Sequence, residues 1–196
     1  MNAIAVAGPV SGRQLHKFGG SSLADVKCYL RVAGIMAEYS QPGDMMVVSA
    51  AGSTTNQLIN WLKLSQSDRL SAHQVQQTLR RYHSDLISGL LPPESAEPLI
   101  AEFIQDLERL AVLLDGKVDE VCYAEVVGHG EIWSARLMAA VLNHLDMQAA
   151  WLDARDFLRA ERAAQPQVDE GRSYPLLQQL LAQHPGKRLV VTGFIS

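Results

Sequence analysis

The stretch Leu15-His16-Lys17-Phe18-Gly19-Gly20-Ser21-Ser22 joins the end of a predicted strand to the beginning of a predicted helix. Beyond it, apolar residues recur at helical spacing, at Leu23, Val26, Leu30 and Ala33. The two glycines lack a Cβ, so a ligand can approach their backbone N–H groups closely. These groups and the positive end of the helix predict an anion site, with phosphate as the expected anion, and Lys17 adds a positive charge at its mouth.

The same stretch also fits an ordinary tight turn between a strand and a helix. In that interpretation a serine is the N-cap of the helix and the lysine is solvated. Spacing alone leaves both interpretations open.

Composition limits the classes of protein to which the chain can belong. Of its 196 residues, 47% are hydrophobic and 19% are charged, which predicts a folded core. The net charge of -4 and the lack of a basic block argue against a nucleic-acid partner. No apolar run is long enough to cross a membrane, and residues 3–10 do not have the pattern of a signal peptide. Cys28 and Cys122 have no metal or redox spacing, which predicts free thiols in the cytoplasm.

Predicted strands and helices alternate along the chain. Short apolar runs predict strands at residues 15–17, 45–49, 149–152 and 188–192. Helical patterns follow residue 54, cover 72–87 and 99–114, and favour a helix over a strand at 118–127, with a separate helix beginning near Gly130. Residues 165–172 are predicted to be an exposed loop, and Pro175 to lie in the first turn of the last helix. The fold class is therefore α/β, with a mainly parallel sheet, helices on both faces and a four-helix insertion between the second and third strands.

The last predicted strand opens onto Gly193, and the chain ends at Ser196. A buried strand that opens onto a glycine normally begins a site loop in an α/β domain, which predicts the N-terminal portion of a longer protein. A short domain that ends on an edge strand is the alternative. The predicted division is a tail at residues 1–13 and a partial domain at residues 14–196.

Two common types of phosphate-binding site are excluded, because the chain lacks their motifs. No Gly-x-x-x-x-Gly-Lys-[Ser/Thr] sequence occurs, so the site is not of the Walker type. Gly128-His129-Gly130 begins like a dinucleotide fingerprint, but Trp133 stands where the third glycine is needed.

Lysine before paired glycines at the end of the first strand resembles the amino-acid kinase family, and residues 17–24 (KFGGSSLA) resemble the aspartokinases within it. Three further segments agree in the same order: 47–56 (VVSAAGSTTN), 128–135 (GHGEIWSA) and 189–194 (LVVTGF). The residues in and around these segments are most similar to those of the bifunctional aspartokinase/homoserine dehydrogenases of the methionine pathway. The resemblance implies a three-layer αβα fold, of which this chain is the amino-acid-substrate lobe.

The resemblance implies an aspartate kinase, which joins the β-carboxylate of L-aspartate to the γ-phosphoryl group of ATP. Both reactants are anionic, so catalysis rests on positioning and charge neutralisation. Lys17 would stabilise charge on the transferring group, and Gly19, Gly20 and Ser21 would donate N–H bonds to the phosphates. ATP enters with Mg²⁺ as a substrate complex, and no prosthetic group or metal-ligating residue is implied.

By the same resemblance, Thr55 would bind the carboxylate side of aspartate and Glu131 its ammonium group. Ser49 and Ser53 are candidates for a further hydroxyl contact. Simpler interpretations stay open for two of these residues: Thr55 as a helix N-cap, and Glu131 as an acidic residue that stabilises a helix N-terminus. His129 is interpreted as structural, and Trp61, Trp133 and Trp151 as packing residues.

One motif of the aspartokinases, Gly-Arg-x-Gly-Ser-Asp after the Gly-Phe strand, is absent; Gly171-Arg172-Ser173 precedes that strand and lacks the aspartate. We therefore expect the chain to lack the adenine-binding half and, by itself, to turn over little or no ATP. The alternatives are a kinase for glutamate or acetylglutamate, or a non-catalytic lobe that binds aspartate or self-associates. The full-length protein is expected to be a cytoplasmic homo-oligomer.

Overall fold

A computed structural model describes residues 12–160 and 167–193. Its sheet has four parallel strands in the order β1-β2-β4-β3. The strands are β1 (Leu15–Phe18), β2 (Met45–Val48), β3 (Ala149–Leu152) and β4 (Arg188–Thr192). The predicted parallel sheet is confirmed, and the bounds of β3 and β4 are those predicted.

Six helices accompany the sheet in the described ranges. They are α1 (Val26–Tyr39), α2 (Thr54–Ser65), α3 (Arg69–Leu90), α4 (Pro93–Leu114), α5 (Glu120–His144) and α6 (Glu170–Gln183). Short 3-10 turns lie at Gly20–Leu23 and Ala154–Asp156. Four helices, α2 to α5, stand between β2 and β3, so the predicted helical insertion is confirmed, with two of the five predicted helical segments in one helix.

The sheet buries side chains on both of its faces, which makes three layers. On one face, Met46, Val48 and Val190 belong to the large core that also contains α1 and the insertion. On the other face, Leu189 and Val191 belong to a smaller cluster with α6. This alternation follows from the two-residue period of a strand, and it accounts for the continuous apolar run of β4.

Helix α5 differs from its prediction, because residues 120–127 and the segment near Gly130 belong to one helix of 25 residues. The helix begins after Asp119, whose carboxylate accepts a hydrogen bond from the backbone N–H of Cys122 at 2.9 Å. The central part of α5 is buried on nearly all sides, between the sheet and the other insertion helices. Such a helix lacks an amphipathic period, and its tertiary burial offsets the low helix propensity of Gly128 and Gly130.

Helix α6 also begins earlier than predicted, since residues 170–172 are helical rather than part of a loop. Asp169 is the N-cap, and its carboxylate accepts a hydrogen bond from the backbone N–H of Arg172 at 3.0 Å. Pro175 is therefore the sixth helical residue instead of a first-turn residue. The cost is one helical hydrogen bond, which tertiary packing of the apolar face on the sheet compensates.

Several predictions fall outside the described residues. These are the tail up to residue 11, residues 165 and 166 of the predicted loop, and Phe194 of the Gly-Phe strand. Within residues 12–160 and 167–193, the structure has no helix with the length and apolar character needed to cross a membrane.

Candidate active site

The segments that carry the quoted motifs meet at the carboxyl edge of the sheet. Gly19 and Gly20 follow β1, Ser49 follows β2, and Gly193 follows β4, and these three strands are parallel neighbours. Ligands of open α/β sheets bind at this edge, because loops from several strands converge there. We call residues 19–25 the glycine loop and residues 49–53 the β2 loop.

The two glycines of the glycine loop have different surroundings. The carbonyl of Gly20 accepts a hydrogen bond from the N–H of Gly52 at 3.0 Å, and a Cβ on Gly20 would lie 2.7 Å from the carbonyl oxygen of Ala50. Around Gly19, a Cβ would meet no described atom within 4 Å. Packing against the β2 loop therefore requires glycine at position 20, whereas Gly19 faces open space from which a ligand can approach.

The element after the glycines differs from the prediction. A 3-10 turn intervenes, in which the N–H of Ser22 donates to the carbonyl of Gly19 at 2.9 Å, and α1 begins only at Val26. The N-cap is Asp25 rather than a serine, with its carboxylate accepting from the N–H of Cys28 at 2.8 Å. Because this carboxylate already lies at the positive end of α1, an anion at the glycines would depend on the loop N–H groups and Lys17.

Lys17 lies on β1, one residue before the end of the strand, with an exposed side chain. The sheet register pairs Lys17 with Val47, and Val47 with Val191, which places the lysine on the α6 side of the sheet. No hydrogen bond or ion pair joins its amine to another residue of the described ranges. The positive charge is thus available at the edge where the motif loops converge.

Glu131 is buried in the middle of α5, with only 5% of its surface exposed. Its Oε1 accepts a hydrogen bond from the backbone N–H of Ala50 in the β2 loop, at 3.3 Å. Burial raises the pKa of this carboxyl from 4.5 to about 7, and the bond from Ala50 offsets only part of that effect. The helix-N-terminus interpretation of Glu131 is therefore wrong, and the carboxylate is one that a cationic ligand would stabilise.

Gly130 allows the β2 loop to approach α5. A Cβ at this position would lie 2.8 Å from the Cβ of Ala50 and 3.4 Å from Cγ2 of Thr54. The absence of a side chain at residue 130 thus brings the loop to the adjacent Glu131.

We expect Gly130→Ala to destabilise the chain by about 1–3 kcal/mol, because overpacking outweighs the gain of about 1 kcal/mol in helix propensity. Gly34→Ala is the matched control, since a Cβ at this glycine of α1 would meet nothing within 4 Å. The control should be stabilised by about 0.5–1 kcal/mol. Urea unfolding of both variants measures the two effects, and equal stabilisation of both would contradict the close approach at Gly130.

The hydroxyl candidates lie at the same edge. Thr55 is the second residue of α2 and is partly buried, and the N-cap of α2 is Ser53, so the N-cap interpretation of Thr55 is wrong. Ser49 directly follows β2, and its N–H donates to the carbonyl of Phe18 at 3.1 Å. Ser21 is exposed in the 3-10 turn of the glycine loop.

Two side chains of α3 that the sequence analysis missed, those of His83 and Tyr82, form hydrogen bonds to these loops. Nε2 of His83 lies 3.1 Å from the hydroxyl of Thr54, which is fully buried and donates its hydrogen to the carbonyl of Ala51 at 2.6 Å. The hydroxyl of Tyr82 donates to the carbonyl of Ala24 at 2.9 Å. These bonds join residues 29 and 58 positions apart, so no local pattern reveals them.

Comparison with known proteins identifies the family. Residues 12–196 match the model of the amino acid kinase family. The chain belongs to the amino acid kinase family. The predicted resemblance is thereby confirmed at the level of the family.

This amino acid kinase chain is 82% identical over 196 residues to the bifunctional aspartokinase/homoserine dehydrogenase 2 of Escherichia coli (strain K12). The match covers 100% of the chain and 24% of that relative. It is 28% identical over 185 residues to the lysine-sensitive aspartokinase 3 of the same organism, covering 92% of the chain and 40% of the relative. The chain therefore spans less than half the length of either relative. The expected likeness to the bifunctional enzymes is confirmed.

A solved structure shares the fold of this amino acid kinase chain. The crystal structure of E. coli aspartokinase III in complex with aspartate and ADP matches it with a TM-score of 0.82 and 24% identity. The match covers 93% of this chain and 41% of that chain. It confirms the predicted three-layer α/β fold of the family.

A charged network on the far side of α5 explains the histidine of the Gly-His-Gly segment. Nδ1 of His129 donates to the carbonyl of Glu125 at 2.6 Å, so Nε2 is left to accept from Arg109 at 2.6 Å. Burial lowers the pKa of His129, in agreement with a neutral ring. Arg155 bridges Glu125 and Asp153 at 2.7 and 2.6 Å, which ties α5 to the end of β3. This geometry supports the structural interpretation of His129.

Proposed function

We propose that the chain is the aspartate-binding part of an aspartate kinase that transfers the γ-phosphoryl group of ATP to L-aspartate. The observation that carries the proposal is the buried carboxylate of Glu131 against the β2 loop, at the sheet edge that also presents Lys17. A carboxylate whose burial raises its pKa is a suitable partner for the ammonium group of an amino acid. The names of the relatives support this substrate.

In the proposed reaction, a β-carboxylate oxygen of aspartate attacks the γ-phosphorus of ATP. A new O–P bond forms, the bond from this phosphorus to the β,γ-bridging oxygen breaks, and ADP leaves with the electron pair. The attacking carboxylate is already ionised at neutral pH, so no general base is needed. The acyl phosphate 4-phospho-aspartate is the product.

The side chains of this chain would hold the two reactants and neutralise their charge. The amine of Lys17 would approach the transferring phosphoryl group, and the N–H groups of Gly19, Gly20 and Ser21 would contact the phosphates. Glu131 would bind the ammonium group of aspartate, with Thr55 on its carboxylate side and Ser49 as a further hydroxyl contact. Mg²⁺ would enter with ATP as part of the substrate.

The rest of the nucleotide pocket would come from outside this chain, which spans 24% of the bifunctional relative. We therefore infer that the isolated chain binds aspartate and turns over little ATP. Residues 14–196 would form the substrate lobe of the kinase domain. Assembly as a homo-oligomer and a cytoplasmic location remain predictions.

Acyl-phosphate trapping tests the reaction. We would build a chimera in which this chain replaces the matching 196 residues of the E. coli bifunctional relative. We expect hydroxylamine to trap a product with L-aspartate and ATP, and none with glutamate or N-acetylglutamate. The unaltered E. coli protein serves as the control for assay conditions. Product from glutamate or N-acetylglutamate alone would indicate that the chain is part of a kinase for that substrate instead.

Calorimetry on the isolated chain addresses the non-catalytic alternative. We expect heat from aspartate binding and little from ATP, with aspartate binding weakened in Glu131→Gln. Aspartate binding by the chain together with an inactive chimera would favour a non-catalytic lobe. The absence of aspartate binding in both proteins would contradict the proposal.

A further inference from the structure

We propose that Tyr82 and His83, adjacent on α3, are positioning residues that hold the glycine loop and the β2 loop in their working geometry. This inference rests on the proposed function. It assigns a role at the active site to α3, a helix of the insertion that lies outside all four sequence motifs.

The bond between His83 and Thr54 has a defined direction. The hydroxyl of Thr54 has one hydrogen, which it donates to the carbonyl of Ala51, so it accepts from Nε2–H of His83. His83 is buried, and burial lowers its pKa to about 3, so the ring stays neutral at physiological pH. The imidazole is thus a permanent donor that fixes the end of the β2 loop.

Tyr82 makes the corresponding bond to the glycine loop, from its hydroxyl to the carbonyl of Ala24. The Tyr82 hydroxyl also lies next to Gly52, where a Cβ would be only 2.9 Å from it. Gly52 also has a φ of +54°, a conformation that favours glycine. A side chain at position 52 of the β2 loop would therefore block the bond between Tyr82 and the glycine loop.

The rest of the insertion fixes the imidazole in place. The ring of His83 lies 5.0 Å from that of Phe103 on α4 and 5.1 Å from that of Trp133 on α5, centroid to centroid. The ring of Tyr82 lies edge-on to His83 at 5.0 Å. Three helices thus determine where the two donors lie, and the donors determine where the loops lie.

The consequence for catalysis follows from the contacts of each loop. The β2 loop supplies the N–H of Ala50 to Glu131, so its displacement would alter the proposed aspartate site. The glycine loop contains the proposed phosphate donors. A displacement of about 1 Å at a reacting group can cost about 100-fold in rate. We therefore expect His83 to affect the use of aspartate and Tyr82 the use of ATP.

Steady-state kinetics of the chimera test this division. We expect His83→Ala to raise the KM for aspartate about tenfold and to leave the KM for ATP within about twofold. His83→Gln, whose amide Nε2 can donate to Thr54, should restore the KM for aspartate to within about threefold. Tyr82→Phe should raise the KM for ATP about fivefold. His73→Ala, at an exposed histidine of the same helix, is the matched control and should change neither KM.

Two kinetic results would overturn the proposal: equal impairment of His83→Gln and His83→Ala, or a parallel rise of both KM values in His83→Ala. Amide exchange in the chimera gives a readout that does not depend on activity. In His83→Ala, the amide of Thr54, which donates to the carbonyl of Ala51, should exchange roughly 5- to 10-fold faster, and His83→Gln should reverse this. Unchanged exchange would refute the positioning role, whereas an inactive chimera with the expected exchange would refute only the proposed function.

Discussion

Lys17→Ala is expected to lower the kcat of the chimera by about 100- to 1000-fold and to leave the KM for aspartate within about threefold. The reason is that the amine would act on charge at the transferring phosphoryl group, which a loss of transition-state stabilisation affects more than substrate binding. The exposed position of Lys17 at the end of β1, without a partner in the described ranges, agrees with this role. Initial rates over a matrix of aspartate and ATP concentrations measure both parameters.

Stability provides the control for Lys17. An exposed lysine without an ion pair contributes little to folding, so the free energy of unfolding of Lys17→Ala should change by less than about 0.5 kcal/mol. Lys27→Ala, at an exposed lysine of α1, should keep full activity. More than a tenth of the original kcat in Lys17→Ala would show that the charge is dispensable.

The sheet could be predicted because its signals are local. Each strand is a short apolar run bounded by turn residues, and β3 and β4 have the predicted bounds. The α1 helix shows the limit of this reasoning. Spacing groups Leu30 with Val26 and Ala33, but Leu30 is 49% exposed, because the face of α1 that packs on the core is the one with Tyr29 and Met36.

The central helix could not be delimited from sequence, since burial on all sides removes the period that marks a surface helix. This affects the interpretation of the site directly. With α5 divided near Gly130, Glu131 was expected near a helix N-terminus, whereas it lies in the middle of one buried helix. Its proximity to Ala50, 81 residues away, depends on the tertiary packing that Gly130 permits.

The motif residues at the sheet edge could be predicted because each lies at or just after the end of a recognisable strand. Lys17 is the penultimate residue of β1, Gly19 and Gly20 follow β1, and Ser49 follows β2. His83 and Tyr82 lie on a surface of α3 whose partners come from distant segments, and a single histidine in a helix predicts no ligand. Only the folded geometry reveals their bonds to Thr54 and Ala24.

Glu131→Gln is expected to weaken the binding of aspartate by about 100-fold or more at pH 8, because the amide could not balance the ammonium charge that we propose Glu131 binds. In the original protein, burial raises the pKa of Glu131 to about 7, so the KM for aspartate should rise as the pH falls below 7. Glu131→Gln should lose that component of the pH dependence. Glu120→Gln, at the exposed amino end of the same helix, is the matched control.

The same substitution should make the chain more stable above pH 7. The unfolded carboxyl has its ordinary pKa of 4.5, so between pH 4.5 and 7 the folded chain binds more protons, and the free energy of unfolding falls as the pH rises through this window. Glu131→Gln has no carboxyl to ionise, so its free energy of unfolding does not fall in this window, and its amide oxygen can still accept from the N–H of Ala50. We expect a gain in the free energy of unfolding on the order of 2–3 kcal/mol above pH 7, and little gain below pH 4.5. Urea unfolding at several pH values measures the difference. A variant that gains stability but loses aspartate binding would show that Glu131 binds the ligand and destabilises the folded chain. A loss of both stability and binding would show that the carboxylate stabilises the structure instead.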